Sequence, residues 1–120
     1  MDIDDLTYQI NGAVYEVNKE LGPGFLEKVY ENALLLELHA RGLIAESQVP
    51  IEVKYKDRTV GNYYADIIVD GRVILELKAV ESLLSIHTAQ LLNYLKATGH
   101  HLGLLINFTN PKAEIRRFVL

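Results

Sequence analysis

Glu76 and Lys78 interrupt an otherwise apolar run, Val73-Ile74-Leu75-Glu76-Leu77-Lys78-Ala79-Val80. If this run is a strand, side-chain alternation puts Glu76 and Lys78 on one face and Val73, Leu75, Leu77 and Ala79 on the other. A charged group inside an apolar strand needs a compensating partner, because desolvation costs several kcal/mol or forces neutralisation. The nearest candidate is Asp66, in the preceding apolar run Tyr64-Ala65-Asp66-Ile67-Ile68-Val69. Two carboxylates and a lysine on one surface form a hard-oxygen site suited to Mg²⁺ or Mn²⁺, ions that retain water and take further oxygens from a phosphate. Such an ion would polarise a scissile phosphate and acidify a bound water, while Lys78 would orient that water or offset transition-state charge. The same three residues could equally form a cluster that only satisfies itself.

Register decides whether the three side chains meet. The two runs are joined at Asp70-Gly71, which predicts a β-hairpin. A two-residue connection would pair Val69 with Arg72 and Asp66 with Leu75, turning Asp66 away from Glu76. A three-residue connection, or one bulge, returns it to the Glu76/Lys78 face. Gly71 suits the left-handed position of a three-residue turn, so the odd register is expected.

The flanking elements must position these residues. Ile3, Leu6, Ile10, Ala13, Val14, Val17 and Leu21 recur at three- and four-residue steps, an amphipathic helix with Asp2, Asp4 and Asp5 at its start. Gly22-Pro23-Gly24 ends it. A second helix is expected from about Phe25 to Ala40, stopped at Arg41-Gly42 and apolar nearly all round, hence packed between the sheet and another layer. Glu27 lies in its first turn, where it serves as a dipole-favoured or lysine-paired carboxylate, or faces the site. Tyr30 reads as a structural hydroxyl bracing that region. Val49, Ile51, Val53 and Tyr55 alternate with Glu52, Lys54 and Lys56, a half-exposed strand. The next strand runs from Thr59 to Val69, and alternation gives Tyr64, not Tyr63, the side facing Asp66.

Ser85 is the expected N-cap of a helix over Ile86 to Thr98, closed by Gly99. His87, Gln90 and Tyr94 share one of its faces. Gln90 can both donate to and accept from a bound water or a phosphate oxygen; His87 reads as a surface or supporting group, not a metal ligand. His101 to Asn107 is a buried strand of the parallel crossover type. After the turn expected at Asn110-Pro111, Ile115 to Leu120 forms a last strand. Lys96, Lys112, Arg116 and Arg117 could track phosphates, although charges on an edge strand also discourage aggregation.

This order of motifs resembles the PD-(D/E)XK nuclease superfamily: Asp66 followed, after a hairpin, by Glu76-Leu77-Lys78. Gly24-Phe25-Leu26-Glu27-Lys28-Val29-Tyr30 is similar to the Gly-x-x-Glu-x-x-Tyr signature of the GxxExxY proteins placed there. Gln90-Leu91-Leu92-Asn93-Tyr94 is similar to the Gln-x-x-x-Tyr motif of the RecB-like branch. The resemblance spans about Leu21 to Val119, with Ala65 where the motif's first residue is often Pro. It implies a restriction-endonuclease-like α/β fold, an αβββαβ core with a mixed sheet and an extra N-terminal helix. It further implies Asp66, Glu76, Glu27 and the main-chain carbonyl of Leu77 as metal ligands, with Lys78 and Gln90 catalytic and Tyr30 and Tyr94 supporting. The implied activity is Mg²⁺-dependent cleavage of nucleic acid, DNA ahead of RNA. The alternative is a binding or assembly module on the same fold without turnover.

Composition bounds these readings. With 120 residues, 49% of them hydrophobic, a single domain over 1–120 with one ordinary core is expected. Cysteine is absent, excluding disulfides and thiolate metal sites and fitting a cytoplasmic setting. No secretory pattern opens the chain, and no apolar stretch approaches the ~20 residues needed to cross a bilayer. A net charge of −4 is unlike a protein that coats nucleic acid non-specifically. The first helix could also serve as the contact of a homodimer.

Overall fold

The computed structural model describes residues 1–109 and 111–120, so the turn expected at Asn110-Pro111 lies partly outside the described residues. Eight elements follow in order: α1 (Ile3–Leu21), α2 (Glu27–Ala40), β1 (Ala45–Tyr55), β2 (Arg58–Val69), β3 (Val73–Lys78), α3 (Ser85–Thr98), β4 (Leu102–Asn107) and β5 (Glu114–Val119). The strands form one mixed sheet in the order β1-β2-β3-β4-β5. β3 and β4 are parallel and connected through α3, while the other neighbours are antiparallel. The αβββαβ order is therefore present from α2 to β4, with α1 added before it and β5 after.

Two apolar layers enclose the sheet. On one side Leu6, Ile10, Val14 and Val17 of α1 and Tyr30, Leu34 and Leu38 of α2 pack on Ile67, Val69, Val73, Leu75, Leu77, Leu104 and Ile106. On the other, Leu91, Tyr94 and Leu95 of α3 pack on Ile51, Ala65, Ile68, Ile74 and Leu105. β3, central in the sheet, is thus covered on both faces, as its continuous apolar sequence requires.

The apolar stripe of α1 is spent within this core. Its N-terminus is closed by the Asp2 carboxylate accepting from the Asp5 amide at 2.8 Å. α2 departs from expectation. It buries only Tyr30, Glu31, Leu34 and Leu38, while Leu26 and Leu36 stand exposed, because α1 and the sheet cover a single stripe of it. At α3 the N-cap is Leu84, with Ser85 inside the helix. The cap bond comes from His87, whose Nδ1 accepts from the Leu84 amide at 3.0 Å. The ring nitrogen takes the amide of the N-cap residue itself, a different donor from the first-turn amide that a capping hydroxyl would have taken.

The hairpin takes the odd register: Val69 pairs with Val73, Ile68 with Ile74 and Ile67 with Leu75. Three residues, Asp70, Gly71 and Arg72, make the connection. Asp70 and Gly71 both have positive φ (52° and 63°). Asp70 tolerates this because its carboxylate accepts from the Ile44 amide at 2.8 Å while its own amide donates to the Ile44 carbonyl.

Candidate functional site

β2 and β3 stop pairing after Ile67 and Leu75. Beyond that point carboxylates take over from the ladder. The Leu77 amide donates to Asp66 Oδ2 at 2.8 Å, and the Asp66 amide donates to Glu76 Oε1 at 3.2 Å. Asp66 and Glu76 therefore sit side by side at the frayed end of the hairpin, as the odd register demands.

β2 is also irregular across its other edge. In the β1–β2 ladder the rung between Ser47/Ile67 and Val49/Ala65 is missing, and Gln48, which would face Asp66, has φ of 52°. Ala65 and Ile67, two residues apart, belong to opposite apolar layers. The strand's alternation is thus broken at Asp66, which reverses the expectation for the tyrosines. Tyr63, not Tyr64, lies on the α3 side, its ring 5.7 Å from that of Tyr94.

Burial and mutual repulsion govern the two carboxyls. Burial first, then the charge of Asp66, push Glu76 up to about 8, so the metal-free side chain is largely protonated at neutral pH. Burial likewise raises Asp66, opposed by the Leu77 amide and by Lys78. Two adjacent carboxylates resist joint ionisation until a cation or proton arrives. Glu27, half-buried at the start of α2, is raised by burial and then by the charge of Asp66, with Lys78 opposing. Glu27 is thus within electrostatic reach of Asp66 and Lys78.

Lys78 donates to Gln90 Oε1 at 3.3 Å, and Gln90 Nε2 donates to the Tyr94 hydroxyl at 2.9 Å. Burial raises the Tyr94 phenol, which keeps that hydroxyl protonated. α3 thus presents Gln90 to the lysine through a fixed relay, with Tyr94 holding the amide's orientation. Tyr30 acts one layer away. Its hydroxyl donates to the Gly22 carbonyl at 2.6 Å and accepts from the Phe25 amide at 3.3 Å, and its ring stacks on Phe108 at 4.6 Å. It fastens the loop that delivers Glu27. Gly24 in that loop has φ of 100°, a conformation costly for any residue with a Cβ.

Three residues escaped the sequence reading. Glu31 is buried, accepts from Lys28 Nζ at 2.7 Å and from Gln48 Nε2 at 3.0 Å, and adds to the negative field on Asp66. Its spacing of four from Glu27 on a helix was the available signal. Gln48, on the adjacent strand, donates to Glu31 and helps to hold the Asp66 carboxyl down, a relation that no local pattern reveals. Asn107, fully buried beside Lys78 on the neighbouring strand, donates to the Val80 carbonyl and accepts from the Val80 amide, both at 2.9 Å. It fixes the chain's exit from β3, and an amide in an apolar strand was its signature.

The basic residues divide. Arg116 bonds Glu114 at 2.9 Å, Arg117 meets Asp4 at 3.7 Å and Thr7 at 3.4 Å, and Lys112 lies 4.5 Å over the Tyr15 ring. These three bind their own chain's surface. Lys96 instead lines a groove beside α3.

Among the described residues, no three Asp, Glu, His or Cys side chains gather into an ion cage of their own. The donors still fit a Mg²⁺-type ion, which binds through one or two carboxylates and completes its shell with water and substrate oxygens. The raised carboxyls of Asp66 and Glu76 are what such a charge would relieve.

No curated protein sequence matches the chain significantly. Its fold is similar to the crystal structure of SSO0001, with a TM-score of 0.58 and 22% identity, over 77% of this chain and 48% of that one. The chain therefore spans about half the length of that neighbour. Together with the five-stranded mixed sheet, this likeness supports a restriction-endonuclease-like α/β fold. The family model for the PD-(D/E)XK nuclease superfamily matches residues 4–118, nearly the whole chain, and the chain belongs to that superfamily.

Proposed function

We propose that this protein is a Mg²⁺- or Mn²⁺-dependent nuclease hydrolysing phosphodiester bonds. The observation that carries the reading is the exchange at the frayed hairpin end, where Asp66 and Glu76 each take the amide that strand pairing leaves over. In this reading Asp66, Glu76 and the Leu77 carbonyl hold the ion, with Glu27 reaching it directly or through water. Bound there, the ion would acidify a water and polarise the phosphate. Lys78, steadied by Gln90, contributes positive charge beside the attacked phosphate and a donor for the incoming water. Gln90 and Tyr94 keep the lysine directed, and Tyr30 and Gly24 set the position of Glu27.

Membership of a nuclease superfamily supports a nucleic-acid substrate, and we take DNA ahead of RNA. The Gly24-x-x-Glu27-x-x-Tyr30 and Gln90-x-x-x-Tyr94 motifs support kinship with the GxxExxY proteins and the RecB-like branch. We further propose one catalytic domain over residues 1–120, a cytoplasmic setting in keeping with the absence of cysteine, and self-association through the first helix. Gel filtration tests the last point.

The central test is Glu76→Ala with a fluorescent oligonucleotide and Mg²⁺. Cleavage should be abolished. Undiminished cleavage by the folded variant refutes the assignment. A binding module without turnover would instead leave the wild-type protein inactive while Mn²⁺ produced no thermal shift.

A further inference from the structure

An open groove of about 1110 Å³ runs between α3 and the outer halves of β1 and β2. Its inner end is Gln90 and Tyr94, the residues that hold Lys78, so it is continuous with the candidate site. Its floor carries Tyr63, about half exposed, with the ring tilted 48° against Tyr94. Ile86, exposed on α3, adds an apolar wall. Lys54 and Lys96 stand on opposite walls, and Glu52, 3.9 Å from Lys54, offsets one of the two positive charges.

We propose that this groove seats a single-stranded segment of nucleic acid and feeds it to the site, an inference that rests on the hydrolytic reading above. Single strands are held by aromatic rings on which bases stack, within a channel whose cations follow the backbone. Tyr63 supplies such a ring, presenting a face to solvent while its other contacts anchor it to Tyr94. Lys54 and Lys96 sit where phosphates on either side of a stacked base would pass. A duplex keeps its bases stacked within itself and offers this ring only phosphate and sugar, so the tyrosine favours unpaired substrate. The break in β2 at Asp66 is what turns Tyr63 toward α3, so the irregularity beside the carboxylates also furnishes the stacking surface.

Fluorescence anisotropy with a labelled 12-nucleotide single strand, in Ca²⁺ to suppress turnover, tests the proposal. The same DNA sequence as a duplex and as single-stranded RNA are run in parallel. The DNA single strand should bind about tenfold more tightly than the duplex. Tyr63→Ala should remove about tenfold of that affinity, with Tyr63→Phe close to wild type. Lys54→Ala and Lys96→Ala should each lower the salt dependence by about 0.7 per lost phosphate contact. Equal affinity for strand and duplex, or unchanged binding by folded Tyr63→Ala, overturns the groove assignment. Single-stranded RNA binding as well as DNA sustains the groove and shows that it does not read the sugar. Selective strand binding without Mg²⁺-dependent cleavage sustains the groove while refuting the nuclease reading. Cleavage lost in Glu76→Ala together with unaltered binding by Tyr63→Ala does the reverse.

Discussion

β3 changes character within six residues. From Val73 to Leu75 it pairs with β2 at every rung, and all three side chains are fully buried. From Glu76 to Lys78 the pairing with β4 continues, but the β2 edge opens and side-chain carboxylates satisfy two of the released amides. The first half is held by apolar burial and ladder bonds, which stabilise without offering chemistry. The second half keeps a buried glutamic acid next to an aspartic acid, an arrangement that weakens the metal-free fold and that a bound cation would relieve. One strand thus serves as both core and site because its hydrogen-bond partner changes midway.

The sharpest way to break this comparison is to alter the open half and look for lost activity without lost stability. Glu76→Gln should lower Mg²⁺-dependent cleavage on the order of 10³-fold in a kinetic assay. Its metal-free melting temperature should match wild type near pH 4.5 and lie above it at pH 7, because only the wild-type side chain must take up a proton on folding. A large fall in melting temperature would make Glu76 structural.

Leu75→Ala, in the paired half, should do the opposite. Deleting a fully buried leucine from the central strand costs about 2–5 kcal/mol by denaturant titration, with any activity loss following the unfolded fraction. A cost below about 1 kcal/mol would mean that this half of β3 is not the core.

The pH dependence sharpens the contrast. The folded Glu76 carboxyl titrates near 8, above the ordinary 4.5. Below about 4.5 both folded and unfolded chains hold the proton, so stability is intact. As pH rises toward 8 the unfolded chain releases it first, and metal-free stability falls by up to about 1.4 kcal/mol per pH unit. Glu76→Gln should flatten that decline. Mn²⁺ must displace the same proton, so its affinity should rise over this range in calorimetric titrations. A pH-independent melting temperature between 5 and 8 would contradict the burial of this acid.

The smallest effect concerns the exit from β3. Asn107→Ala removes two bonds to Val80 and should cost about 1–3 kcal/mol, with a smaller loss of activity through a loosened Lys78. Activity loss without destabilisation would give Asn107 a direct part in the chemistry.

The sequence by itself determined the elements and the pairing of the key charges. Apolar spacing defined α1 as Ile3–Leu21, and Glu76 and Lys78 had to share a face whatever the rest of the fold did. The need to compensate those charges, together with Gly71, selected the register that brought Asp66 beside them. These are local properties, fixed by backbone geometry and the cost of burying charge.

Other features only the tertiary structure decided. Gln48 and Glu31 approach Asp66 from a different strand and a different helix, and Tyr63 replaces Tyr64 because the alternation of β2 fails at one residue. His87 caps a helix where Ser85 was expected, and Leu36 is exposed because no further layer covers α2. Each depends on which surfaces meet after the chain has collapsed. A period of 2 or 3.6 residues records which side chains share a face, but not what that face will touch.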